Sequence, residues 1–170
     1  MHPPRSPARS RPRCLAACAG LAGCFLSPLP DAKTPADRAR ELAPRCQSFS
    51  EQAGAGLLSR DPIESVEPAY SYVQSGSNDH EARLRGARIH FRPLPGLTPE
   101  SLARTLECHE ARVTLGEFSP TEDDPYVLPD RWLDIDVDSE RDGFVASVRV
   151  DAFEDARRIL DRAKRYASRP

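Results

Sequence analysis

No apolar run in the 170-residue chain approaches the roughly 20 residues that a bilayer-spanning helix needs, so no stretch reads as a transmembrane anchor. Cationic charge is short as well, with 24 Lys plus Arg against 26 Asp plus Glu, a formal charge of −2. That balance excludes a nucleic-acid partner, because affinity for a phosphate backbone requires a basic footprint. The five cysteines contain no Cys-Xaa-Xaa-Cys pair, which removes thioredoxin-type redox chemistry. The four histidines and the cysteines complete no standard zinc spacing, and the acidic runs lack the glycine and terminal glutamate of an EF-hand loop. No nucleophile has a base and an orienting third group nearby in sequence. No catalytic residue and no cofactor is therefore expected.

The chain's most informative segment is its beginning. Arg5, Arg9, Arg11 and Arg13 precede a short apolar run, Leu15 to Leu21, and the tetrad Leu21-Ala22-Gly23-Cys24 closes it. A positive region, a short small-residue-rich apolar region and a cleavable site make a signal peptide, not a membrane helix. The tetrad resembles the processing site of bacterial lipoproteins: Leu21 takes the apolar position, Ala22 and Gly23 let a peptidase approach, and Cys24 receives the lipid. Leu15-Ala16-Ala17-Cys18 matches less well, since it leaves almost no apolar region before the cut. The resemblance implies a signal peptide at 1–23, palmitate-type lipidation of Cys24, and a periplasm-facing protein held to the cell envelope by lipid. Phe25 follows the cysteine, in place of the aspartate that favours inner-membrane retention in enterobacterial lipoproteins, which points to the outer membrane. Loss of four arginines and no acid takes the formal charge from −2 to −6.

In that oxidising compartment the cysteines left after Cys14, Cys18 and Cys24 are Cys46 and Cys108. Two thiols allow one intramolecular pairing, and closing the loop between them would contribute about 4 kcal/mol at most. Residues 24–35, with two prolines between Phe25 and Thr34 and few large apolar groups there, form the lipidated cysteine and a flexible tether. One domain, 36–170, remains.

Thr34 and Pro35 are a helix start, and Leu42, Cys46, Phe49, Ala53 and Leu57 fall on one stripe of the helix that follows. Ile63 to Gln74 has no clean period. Val66, Tyr70 and Val73 fit one side of a short helix interrupted by Pro68, with Tyr70 and Tyr72 as half-buried packing residues. Ser75 to Asp79 reads as a loop. From Gly86, Ala87, Ile89 and Phe91 alternate with Arg88, His90 and Arg92, which predicts a strand. Thr98-Pro99 opens a helix carrying Leu102, Leu106, His109 and Val113 on one stripe, flanked by Ala103 and Glu110, and ending near Gly116. Leu133, Ile135 and Val137 alternate with Trp132, Asp134, Asp136 and Asp138, and after a turn to Gly143 a second strand follows from Phe144. Asp151 caps a last helix with Ala156, Ile159, Leu160 and Ala163 inward.

The class is α+β. Strand, helix, strand, strand, helix can form a small antiparallel or mixed three-stranded sheet with helices on one face, resembling a truncated ferredoxin-like βαββα unit preceded by an N-terminal helix. The strand beginning at Phe144 is expected between the other two.

Three constellations bear on function. Cys108 and His109 could bind a metal or small ligand, but adjacent helical residues diverge by about 100 degrees and a disulfide would consume the thiol. The acids Asp123, Asp124, Asp134, Asp136, Asp138 and Glu140 read as a solvated face, with Asp134, Asp136 and Asp138 as a hard-cation alternative. Carboxylate pairs also serve envelope hydrolases, though no cleft is legible that would tune them. Arg88, His90, Arg92, Arg149 and Trp132 share one sheet face and form an interaction surface for an envelope protein or polymer. The expected role is a noncatalytic interaction or structural module of the envelope.

Overall fold

The computed structural model describes residues 33–74 and 80–168, which belong to one compact unit, Ala32–Pro170. The expected signal peptide, Cys24, the tether as far as residue 32 and the expected 75–79 loop lie outside the described residues.

The amphipathic N-terminal stretch is broken where a single helix was expected. Helix α1 spans Pro35–Leu42, a 3-10 turn spans Ala43–Cys46, and α2 spans Glu51–Leu58. Pro44 accounts for the break, because it has no amide to donate and its ring crowds the preceding turn. Thr34 caps α1, accepting from the Asp37 amide while the Asp37 carboxylate accepts from the Thr34 amide. The Thr34 hydroxyl also donates to that carboxylate, and it, with the Thr34 amide, holds the Asp37 carboxyl below its usual range.

The sheet has four strands, not three. Strands β1 (Ile63–Gln74), β2 (His80–Phe91), β3 (Asp134–Glu140) and β4 (Gly143–Arg149) stand in the order β1-β2-β4-β3, and every neighbouring pair is antiparallel. The strand from Phe144 is indeed flanked by the other two that were expected. The correction is β1, which replaces the interrupted helix expected at 63–74. Its first register break opposes Ile63 to Phe91 and Ser65 to His90, so Glu64 is an extra residue. Ile63 and Val66 thereby both pack on the core at a spacing of three, which imitates a helix. Pro68 is tolerated because β1 is an edge strand.

A second break sets Ala69 opposite Gly86 but Tyr70 opposite Leu84, so Arg85 bulges from β2. Beyond this point β4 no longer accompanies β2, whose pairing to β4 begins at Gly86. Residues 70–74 and 80–84 thus continue as a two-stranded arm. Gly86 is fixed by contact: its φ is +146°, and a Cβ would lie 2.0 Å from the Val148 carbonyl oxygen. The bulged Arg85 turns to pair with Asp151, and its carbonyl accepts from the Val150 amide.

Helices α3 (Pro99–Thr114) and α4 (Phe153–Ser168) cover one face, α3 along β3 and α4 along β2, while α1 packs on α3. Thr98 caps α3 reciprocally with Ser101. Asp151, expected as the cap of α4, holds Arg85. Ala87, Ile89 and Phe91 of β2, Ile135 and Val137 of β3, and Ala146 and Val148 of β4 meet Leu102, Leu106, Ala156 and Ile159 in one core. The connection from Glu117 to Asp130 contributes Tyr126 and Leu128 to that core, and Leu133, expected on the strand, is buried there just ahead of β3.

Candidate functional site

Trp132 precedes β3 and is half-buried between two hollows. One, of about 440 Å³, is lined by Lys33, Arg38, Arg85, Arg131 and Arg149 with Asp130, Asp134 and Asp151. The other, of about 490 Å³, shares Lys33, Arg38 and Trp132 and adds Arg45, Glu41 and Glu107. Several cations are already engaged: Lys33 with Glu41 at 2.7 Å, Arg149 with Asp134 at 2.9 Å, Arg85 with Asp151, and Arg131 with Asp155 at 2.8 Å. An indole edged by ordered guanidinium groups is a surface suited to acidic or hydrogen-bonding partners.

Of the interaction surface expected from sequence, Trp132 and Arg149 do meet at the first hollow. Arg88, His90 and Arg92 line neither hollow. Arg88 and His90 project from the outer face of β2 and both reach Glu140 at 3.0 Å, while Arg92 donates to the Asp61 carbonyl. The residues differ in position along the sheet: Arg149 lies opposite Gly86 and Asp134, whereas His90 lies opposite Val145. Lys33, Arg38, Arg45, Arg85 and Arg131 join Trp132 from four segments. No sequence spacing could reveal that.

The Cys46–Cys108 disulfide is formed, with 5.4 Å between the Cα atoms, and ties the 3-10 turn to α3. The alternative pairing of Cys108 with His109 as metal ligands is thereby corrected, because the thiol is consumed and His109 has another partner. His109 Nε2 lies 2.6 Å from the Asp124 carboxylate, in a buried contact. The second Asp124 oxygen accepts from the Tyr126 amide at 2.9 Å, and the carbonyls of Asp124 and Val127 accept from Arg162. Asp124 therefore belongs to a structural network rather than to a solvated acidic face. Asp123 is likewise buried and holds Arg165 at 2.7 Å. A small hollow of about 250 Å³ beside this network is bordered by His109, Asp124, Tyr126, Tyr166, Ser59 and Ser119.

Asp134, Asp136 and Asp138 do share the exposed side of β3, with Asp134 paired to Arg149. Among the described residues no group of three His, Cys, Asp or Glu side chains could hold a metal ion.

Glu110 is the residue that pattern reading missed. It was expected at the flank of α3's apolar stripe and is fully buried. Its Oε1 accepts from the Leu133 amide at 2.6 Å, directly after Trp132, while Oε2 has no partner. Burial pushes its carboxyl well above the usual range, opposed by the Leu133 amide and abetted by Glu107. Glu107, one turn away at the second hollow, is raised more modestly by burial, against the pull of Arg45 and Arg104.

Compared with known proteins, the chain matches no family model, and no curated protein or solved structure shows significant similarity to it.

Proposed function

We propose that this chain is a lipid-anchored protein of the bacterial cell envelope, tethered through Cys24 and facing the periplasm, whose domain docks a partner on the Trp132 surface without catalysis. The observation that carries the docking is the position of Trp132 between two cation-lined hollows. Aromatic and arginine side chains are the groups that most often dominate binding energy at such surfaces. The partner is an envelope protein or polymer with acidic and hydrogen-bonding groups. The Leu21-Ala22-Gly23-Cys24 tetrad supports the address, and the Cys46–Cys108 disulfide accords with an oxidising compartment. The architecture is read as a ferredoxin-like βαββα unit with an added N-terminal strand, which the order β1-β2-β4-β3 supports.

A second reading, a small-ligand protein, is favoured by the hollow beside His109, where Nδ1 and the Tyr126 hydroxyl are buried without partners. It ranks below the first because the other ring nitrogen of His109 is already engaged by Asp124.

The test combines fractionation with affinity. Intact mass of the membrane-extracted protein is expected to show lipid on Cys24, and Cys24→Ser is expected to release the chain from membranes. In cross-linking from intact envelopes, Trp132→Ala is expected to weaken partner recovery by roughly thirty-fold, the loss that follows from truncating a hot spot worth about 2 kcal/mol. Recovery unchanged by Trp132→Ala and by Arg38→Ala would overturn the docking surface. Soluble Cys24-unmodified protein would overturn the address.

A further inference from the structure

The two edges of the sheet are guarded very unequally. The β3 edge carries Asp134, Asp136, Asp138 and Glu140 at alternate positions, a row of like charge that repels another strand. The first half of β1 carries Glu64, Glu67 and Pro68 and is broken by a bulge, which are the ordinary devices against edge pairing. The second half, Tyr70-Ser71-Tyr72-Val73-Gln74, has no charge, no proline and no glycine. Tyr70, Tyr72 and Val73 are 53%, 73% and 50% exposed. Phe153 is the other large apolar side chain exposed to this degree among the described residues.

We propose that Tyr70–Gln74 is a self-association edge, where a second copy of this chain adds its own β1 antiparallel. Charge selects the occupant. Carboxylates line the β3 edge and the first half of β1, so Tyr70–Gln74 is the exposed edge segment on which a second copy pairs without setting like charges across the ladder. Pairing about a twofold axis at Tyr72 sets Tyr70 against Gln74 and Ser71 against Val73 of the partner, with no carboxylate in the new ladder. Pairing β1 on a neighbour's β3 would instead bring the four acids against Tyr70 and Tyr72 and would leave both ends open to grow a filament. The closed arrangement joins two four-stranded sheets into one of eight. Five residues a side is a small contact beside a standard interface of about 800 Å² per partner. The dimer is therefore concentration-dependent, and confinement on a membrane favours it. The proposal stands apart from the Trp132 surface, which uses other residues.

The experiment is sedimentation of the purified full chain over a wide concentration range, with Tyr72→Lys as the variant and thermal unfolding as the check that it folds. Tyr72 is largely exposed, so the substitution is expected to leave the melting temperature unchanged. The expected result is a monomer–dimer equilibrium that Tyr72→Lys shifts to monomer, together with a spin label at residue 72 reporting a short label-to-label distance. Monomer at every concentration, a dimer indifferent to Tyr72→Lys, or an open-ended polymer each overturns it, as does capture of an unrelated extended segment without self-association.

Discussion

Glu110 shows how far a single position can depart from its pattern. A helical wheel puts it beside the apolar stripe of α3, where a glutamate ordinarily reaches water, yet here it is 1% exposed and supports the Leu133 amide. A carboxyl whose folded pKa is raised favours the protonated form in the native state. Its contribution is complete below the unfolded value and is lost as pH rises toward the folded one. Glu110→Gln, which keeps the acceptor and removes the charge, is expected to raise stability by about 1–3 kcal/mol at pH 8 and to change it little near pH 4. Urea unfolding of both proteins across that range checks the sign. At Asp124 the reverse is expected. Asp124→Ala strands His109 and the Tyr126 amide in the interior and should cost about 2–3 kcal/mol by the same measurement. Sequence supplied the candidate His109 but not its partner, because the carboxylate arrives from a connection with no periodicity, 15 residues on.

Among the elements, α3, α4 and the β3–β4 hairpin were legible because each keeps one period along its length and faces the core once. The capping pairs at Thr34 and Thr98 are local and were equally readable. β1 was not, since two register breaks disrupt the alternation that marks a strand, and its distal aromatics, expected to pack, are exposed. Gly86 stands where the arm leaves the sheet. Gly86→Ala forces a methyl against the Val148 carbonyl at a positive φ, and a loss well over ~1 kcal/mol is expected, with amide exchange rising along β2 and β4. The disulfide ties the 3-10 turn to α3. Replacing Cys46 and Cys108 together by alanine is expected to cost up to about 4 kcal/mol, read from the thermal midpoint with and without reductant.

At the scale of the molecule, fold class and the middle of the sheet order follow from residue patterns, and the assembly of a surface does not. The Trp132 hollows draw on α1, α3, the bulge of β2 and the entry to β3, and such a set is defined by packing alone. Cysteine usage was the exception, a long-range contact inferred from compartment and parity. That same bond governs how the domain carries a load. A pull on the N-terminal end enters at Thr34, runs through α1 to Cys46, and crosses directly to Cys108 in α3. The intervening chain, with β1 and β2, is bypassed. Stretched between its ends, the oxidised protein would withhold a loop of 62 residue steps, roughly 200 Å of contour, that the reduced protein would release. The half of the sheet bearing the exposed edge is thereby protected from unravelling by a single covalent bond outside it.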